Sequence, residues 1–239
     1  MTRKILITND DGIVSDGIIR LAKTAVNFGE VWVVAPDSQC SGISHCITLR
    51  HPIEIHPHDF PVQGVRAFSC SGTPGDCVRV GSLGVMPAKP DVVLSGINYG
   101  YNVASDLQYS ATAGAAFEAE FQGCLAIAFS EDACERHEIT DKYLKDILEE
   151  LLDEERIPGQ IINVNFPGCA MQDFKGILRD RKVSGAAYFT DHYNRIKEFP
   201  DGGAEYMVEG VHLPEYDEGT DYAAVLDGYI SIGRVTNIG

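Results

Sequence analysis

The sequence has no long hydrophobic run: nowhere do the roughly 20 consecutive apolar residues of a membrane-spanning helix stand together. No membrane association is expected. Thr2-Arg3-Lys4 leads straight into a short apolar run with no small-residue cleavage site, so the expected location is cytoplasmic. Basic residues are scarce, 19 Lys and Arg against 35 Asp and Glu, giving a formal charge of -16. A general nucleic-acid binder needs a basic face for the phosphate backbone, so no nucleic-acid duplex is expected as a partner. The seven cysteines are odd in number and contain no C-x-x-C pair, which removes the basis for a disulfide framework or a zinc site. Also missing are G-x-x-x-x-G-K-[ST] and G-x-G-x-x-G, the fingerprints of P-loop and dinucleotide-binding proteins.

What is present is an alternation of short apolar runs with helical patterns. Lys4–Thr8 reads as a buried parallel strand, Ile18–Phe28 as a helix stopped at Gly29, and Val31–Ala35 as a second strand stopped by Pro36. Thr73 and Pro74 mark a helix start. Asp91–Ser95 reads as a strand followed by a Gly- and Asn-rich loop to Asp106. A helix is expected from about Ser110, a strand over Cys124–Phe129, a charged helix over about Asp141–Glu155 and a strand over Ile161–Val164. Such alternation implies an α/β fold, a mostly parallel sheet with helices on both faces. Phe174–Met207 lacks a helical period and ends at Asp201-Gly202-Gly203, the pattern of a long hairpin or arm. Gly228–Ile232 reads as a strand that rejoins the sheet. The expected division is a Rossmann-like core over 1–168, an arm over 169–227, and a closing strand and tail over 228–239.

The chemistry gathers where strands end. Asn9-Asp10-Asp11-Gly12 follows the first strand, and ligand sites in open α/β sheets lie at strand carboxyl ends. Adjacent carboxylates repel and resist desolvation, so they call for a cation, and their hard oxygens suit Mg²⁺ or Mn²⁺. Alone, the same residues serve equally well as an Asx-type turn. Ser41, after the second strand, and Asn98, after the strand of Asp91–Ser95, carry neutral oxygens able to complete a carboxylate-rich set. Tyr109-Ser110-Ala111-Thr112 opens a helix, and helix N-termini bearing Ser and Thr make phosphate cradles, although N-capping is the commoner fate of such residues. His45, four residues from Ser41, is a further candidate beside the phosphate. A haloacid-dehalogenase-like D-x-D is absent, and Ser95–Asn98 stands where receiver domains need a third carboxylate.

Taken as an ordered set, Ile7-Thr8-Asn9-Asp10-Asp11-Gly12, Ala35-Pro36-Asp37 with Ser41-Gly42, Ser71-Gly72-Thr73-Pro74 with Asp76-Cys77-Val78, and Ser95-Gly96-Ile97-Asn98 resemble the signature blocks of the SurE survival-protein family. Gly228–Ile232 matches that family's closing strand. The resemblance implies a Rossmann-like core, an arm exchanged between subunits of a homodimer or homotetramer, and metal-dependent hydrolysis of nucleoside 5′- and 3′-monophosphates, with polyphosphate a further substrate in some members. By motif it implies one divalent ion, Mg²⁺ or Mn²⁺, per subunit on Asp10, Asp11, Ser41 and Asn98. Asp10 and Asp11 would be catalytic, with Asn9, Gly42, Ser110 and Thr112 on the substrate. Two departures stand out. Ala111 replaces the glycine usual in the phosphate-side block, and Ser231-Ile232-Gly233-Arg234-Val235 replaces Ser-Ile-Thr-Pro-Leu, a change expected to act on the terminus and assembly. Substrate preference is expected in the Tyr99–Gln108 loop and the arm. The competing readings are a non-hydrolytic nucleotide sensor and an arm-exchanged assembly protein with a vestigial site.

Overall fold

The computed structural model describes residues 2–213 and 216–236. Strand β1 (Lys4–Thr8) is apolar on both faces, with Ile5, Leu6 and Ile7 fully buried, as a central parallel strand must be. It pairs in parallel with β2 (Glu30–Pro36) on one side and β5 (Val92–Tyr99) on the other. Outside β2 lie β4 (Arg66–Cys70), parallel, and then β3 (Ile55–His58), antiparallel. Outside β5 follow β6 (Leu125–Glu131) and β7 (Gln160–Phe166), both parallel. The last strand, β11 (Tyr229–Thr236), runs antiparallel to β7 and carries β8 (Gly176–Leu178) on its far edge. The result is one nine-stranded sheet in the order β3-β4-β2-β1-β5-β6-β7-β11-β8.

Two apolar layers clasp this sheet. On one face α1 (Asp16–Ala25) and α4 (Glu138–Leu151) bring Ile18, Leu21, Leu144 and Ile147 against Ile5, Ile7 and Val33. On the other, α2 (Pro74–Val80) and α3 (Ala111–Phe121) pack Cys77, Val78, Ala113 and Ala116 against Leu6, Trp32 and Val34. Ala111 to Ala119 of α3 are small almost throughout, which lets this helix lie close to the sheet. No helix among the described residues is long and apolar enough to cross a membrane.

Several expected boundaries move. Helix α1 runs over Asp16–Ala25 rather than 18–28; its N-cap Ser15 makes no side-chain cap, and its hydroxyl accepts from Asn9 Nδ2. Helix α4 ends at Leu151, where its buried stripe ends, so Asp153–Glu155 lie outside it. Strand β5 continues through Gly96–Asn98, expected as loop, by way of an irregularity between Ser95 and Asn98. Gly96 has φ +134°, and a Cβ there would sit 2.2 Å from the Phe129 carbonyl oxygen, so only glycine fits. Strands β3 and β4 carry no clear alternation; His56 and His58, whose spacing suggests that they flank a strand, both fall inside β3. The closing strand is longer than Gly228–Ile232: Ser231, Ile232 and Val235 are buried in it, and a Cβ on Gly233 would lie 2.1 Å from the Arg181 carbonyl. That departure from the family pattern therefore sits in the sheet, while residues 237–239 lie outside the described residues.

The exposed arm is also narrower than 169–227. It is the hairpin β9 (Phe189–Glu198) and β10 (Ala204–His212), a two-stranded sheet separate from the main one. Residues on either side, β8 and helix α5 (Asp221–Leu226), pack on the body.

Candidate active site

Strand β1 ends at Thr8, and the next residues deliver Asp10 and Asp11 to the carboxyl edge of the sheet. Asn9 shapes the turn: its Nδ2 donates to the Gly12 carbonyl at 2.9 Å and to Ser15 Oγ at 2.8 Å. The Asx-type turn and the paired carboxylates are thus features of one segment. With those donors committed, Asn9 offers its buried, unpartnered Oδ1, an acceptor unsuited to phosphate oxygens.

Asp10 is almost completely buried, and its Oδ1 accepts the Thr112 hydroxyl proton at 2.6 Å. Burial pushes its carboxyl up to about 6, assisted by the charge of Asp11 and opposed by the Thr112 hydrogen bond. Asp11 accepts from the Tyr99 amide at 3.1 Å, and burial raises its carboxyl too, with Glu131 adding to the rise. Among the described residues no Lys or Arg pairs with either carboxylate.

Two further loops close on this point. The Cys40 amide donates to the Asp10 carbonyl at 2.7 Å, which holds the Ser38–Gly42 loop over β1. Ser41 Oγ accepts from Gln39 Nε2 at 3.1 Å, and Gly42 takes the left-handed φ of +72° in the exposed part of this loop. Asn98, half-buried at the end of β5, donates from Nδ2 to the Gly100 carbonyl at 2.8 Å, so its Oδ1 is the atom left to offer.

The donor set suits a hard divalent cation. Asp10 and Asp11 are desolvated carboxyls without a cationic partner, and the preceding residue in the chain, Asn9, adds a buried oxygen with no hydrogen-bond partner. No group of three His, Cys, Asp or Glu side chains suited to a metal forms among the described residues. An ion here would have to draw on neutral oxygens as well, and Ser41 and Asn98 carry such oxygens on the adjoining loops.

Helix α3 begins opposite. Ser110 caps it by accepting from the Ala113 amide at 3.0 Å, which leaves its own O–H free to donate. Thr112 donates its hydroxyl hydrogen bond to Asp10, so its oxygen offers lone pairs rather than a donor. Of the two hydroxyls expected on the phosphate, Ser110 retains the donor and Thr112 positions Asp10. Ala111 is the first helical residue, without a positive φ, so the methyl group is accommodated where a glycine is usual. His45 is turned to other work: Nε2 pairs with Glu118 Oε2 at 2.9 Å and the ring stacks on Phe121 at 5.7 Å, both late in α3.

Sequence reasoning missed the cavity next door. A space of about 370 Å³ adjoins Asp11 and Gln39 and is lined by Arg20, Tyr99, Glu131 and His137. Glu131 is the last residue of β6, so it obeys the same strand-end rule that singled out Asp10 and Asp11.

The fold and site define a Rossmann-like α/β protein whose carboxylates gather at the carboxyl edge of a parallel sheet, against the start of a helix. The family model described as survival protein SurE matches residues 5–187, and the chain belongs to the SurE family. A relative from Thermoanaerobacter sp. (strain X514), described as 5′-nucleotidase SurE, is 37% identical, with 96% of this chain and 90% of the relative covered. A relative of the same description from Cytophaga hutchinsonii is 38% identical, over 95% and 88%. The solved structure of SurE protein from Aquifex aeolicus superposes with a TM-score of 0.81 at 34% identity, covering 98% of this chain and 93% of that one.

Proposed function

We propose that this chain is a divalent-metal-dependent 5′-nucleotidase, a phosphomonoesterase that converts nucleoside 5′- and 3′-monophosphates to nucleoside and phosphate. The observation that carries the reading is the Asp10–Thr112 hydrogen bond, which joins a desolvated carboxylate pair to the N-terminus of α3. Asp10, Asp11, Ser41 and Asn98 are the residues to hold one Mg²⁺ or Mn²⁺. Such an ion supplies Lewis acidity, neutralising phosphoryl charge and making water easier to deprotonate. Thr112 fixes one Asp10 oxygen, and in this reading Asp10 accepts the proton of the attacking water. Ser110 and the first backbone amides of α3 hold the equatorial phosphoryl oxygens.

The same reading makes the protein a cytoplasmic homodimer or homotetramer joined through the β9–β10 arm. Isolated two-stranded hairpins are marginal in water. This one exposes Tyr193, Ile196, Tyr206, Met207, Val208 and Val211, an apolar surface that calls for a second subunit.

The test is phosphate release from a panel of nucleoside monophosphates and polyphosphate, with Mn²⁺, Mg²⁺ or EDTA. We expect metal-dependent release that falls about 10²- to 10⁴-fold in Asp10→Asn. Unchanged turnover in Asp10→Asn sinks the scheme. A folded, metal-binding protein that releases nothing is a sensor, and one that neither binds metal nor turns over is an assembly protein.

A further inference from the structure

The cavity beside Asp11 is not needed to hold a cation or a phosphate, and its charges say what it does hold. It is lined by the carboxylates Asp11, Asp16, Glu131 and Glu135 against Arg20 and His137. Arg20 is fully engaged. Its Nε donates to Asp16 at 2.6 Å, Nη1 to Asp141 at 3.0 Å and Nη2 to Glu131 Oε1. His137 Nδ1 lies 3.1 Å from the same Oε1. With its one arginine tied up, the cavity repels a second phosphate and favours an uncharged or cationic group.

Glu131 supplies the specific handle. Its side chain is only 4% exposed, and Oε1 accepts from Arg20 with His137 Nδ1 close by. Oε2 is buried with no hydrogen-bond partner. An unpartnered carboxylate oxygen in a cavity wall costs free energy until a donor arrives. At the rim, Tyr99 leaves 51% of its surface exposed while its backbone amide is fixed on Asp11. An aromatic face beside a buried acceptor suits a flat, donor-bearing ring system. About 370 Å³ lies within the range of small-molecule sites.

We propose that this cavity is the leaving-group subsite, taking the nucleoside half of the substrate with Glu131 Oε2 accepting an O–H or N–H and Tyr99 packing on the base. The inference rests on the phosphatase reading for where the phosphate sits, but its binding step is independent of turnover. Arg20 is a positioning residue, holding Glu131 Oε1 so that Oε2 is left unpartnered. Acceptance from the ribose hydroxyls and acceptance from an amino group on the base are the same chemistry from two parts of one ligand.

The experiment titrates adenosine, purine riboside and 2′,3′-dideoxyadenosine into the full chain with Mg²⁺, followed by ligand-detected NMR, for wild type, Glu131→Gln and Tyr99→Ala. Adenosine should bind wild type and bind Glu131→Gln about 10- to 100-fold more weakly. Tyr99→Ala, an exposed change that spares the core, should also weaken it. Weak binding of purine riboside assigns the base amino group, and weak binding of the dideoxy compound assigns the sugar. In turnover, the ratio of kcat/KM for AMP to that for p-nitrophenyl phosphate should fall by the same factor in Glu131→Gln. Equal adenosine affinity in wild type and Glu131→Gln, or no adenosine binding by wild type at millimolar concentration, overturns the proposal. Adenosine binding without any phosphate release would instead overturn the phosphatase reading and leave the subsite standing.

Discussion

Thr112 is the residue through which helix α3 acts on the carboxylates, because its buried hydroxyl donates a hydrogen bond to Asp10. Thr112→Val keeps the shape and removes the donor. Partners of this kind are worth about 10- to 100-fold in metal affinity or activity, and Mn²⁺ titration together with kcat/KM will read the loss. Ala111 has a separate consequence. A helical position that takes alanine without strain is stiffened by it, so Ala111→Gly should lower stability by about 0.5–1 kcal/mol in urea melts. Asp76 sets a pH dependence. Burial raises its carboxyl, but hydrogen bonds from the Thr48 amide, the Thr73 amide and the Thr73 hydroxyl outweigh that and hold it below the ordinary carboxylate value. A depressed folded value means that the contribution is complete above the unfolded value, near 4, and is lost as pH falls through the folded one. Asp76→Asn should therefore cost about 1 kcal/mol at pH 7 and little at pH 2, as read by melting temperature across pH.

Among the elements, those with an unbroken apolar run or a clean stop were legible in sequence: β1, β2, the Thr73-Pro74 start of α2 and the core of β6. The site's carboxylates were legible for the same reason, since they stand directly after such a run. Strand β4, written Arg-Ala-Phe-Ser-Cys, has neither signal and exists because its backbone pairs with β2. The continuation of β5 through Gly96–Asn98 was hidden because its glycine mimics a loop, whereas its purpose is close approach to Phe129. The Arg20–Glu131–His137 group was hidden because its members are far apart in sequence and meet only across α1, β6 and the start of α4. The arm was legible in outline, but the exposure of its apolar residues was not. Tyr193 and Val208 are cross-strand partners in that hairpin. A Tyr193→Glu, Val208→Glu double variant should shift the assembly towards monomer in light scattering after gel filtration, with the far-ultraviolet spectrum of the body retained.

For the molecule as a whole, a formal charge of -16 with two desolvated carboxylates at its centre means that the proposed site cation would stabilise the fold as well as serve chemistry. At 100 times its dissociation constant, a ligand bound only to the folded state adds about 2.7 kcal/mol, or roughly 5–10 °C for a chain of this size. EDTA should remove that increment from wild type and change Asp10→Asn little, by differential scanning fluorimetry. The order of the strands carries one more consequence. Because β11 lies between β7 and β8, the sheet cannot be completed from the strands that precede it in the chain. During synthesis at 5–20 residues per second, β7 waits with a bare edge for roughly 4–14 s until β11 emerges from the ribosome. Through that interval the nascent chain displays a bare apolar strand edge to its neighbours on the polysome.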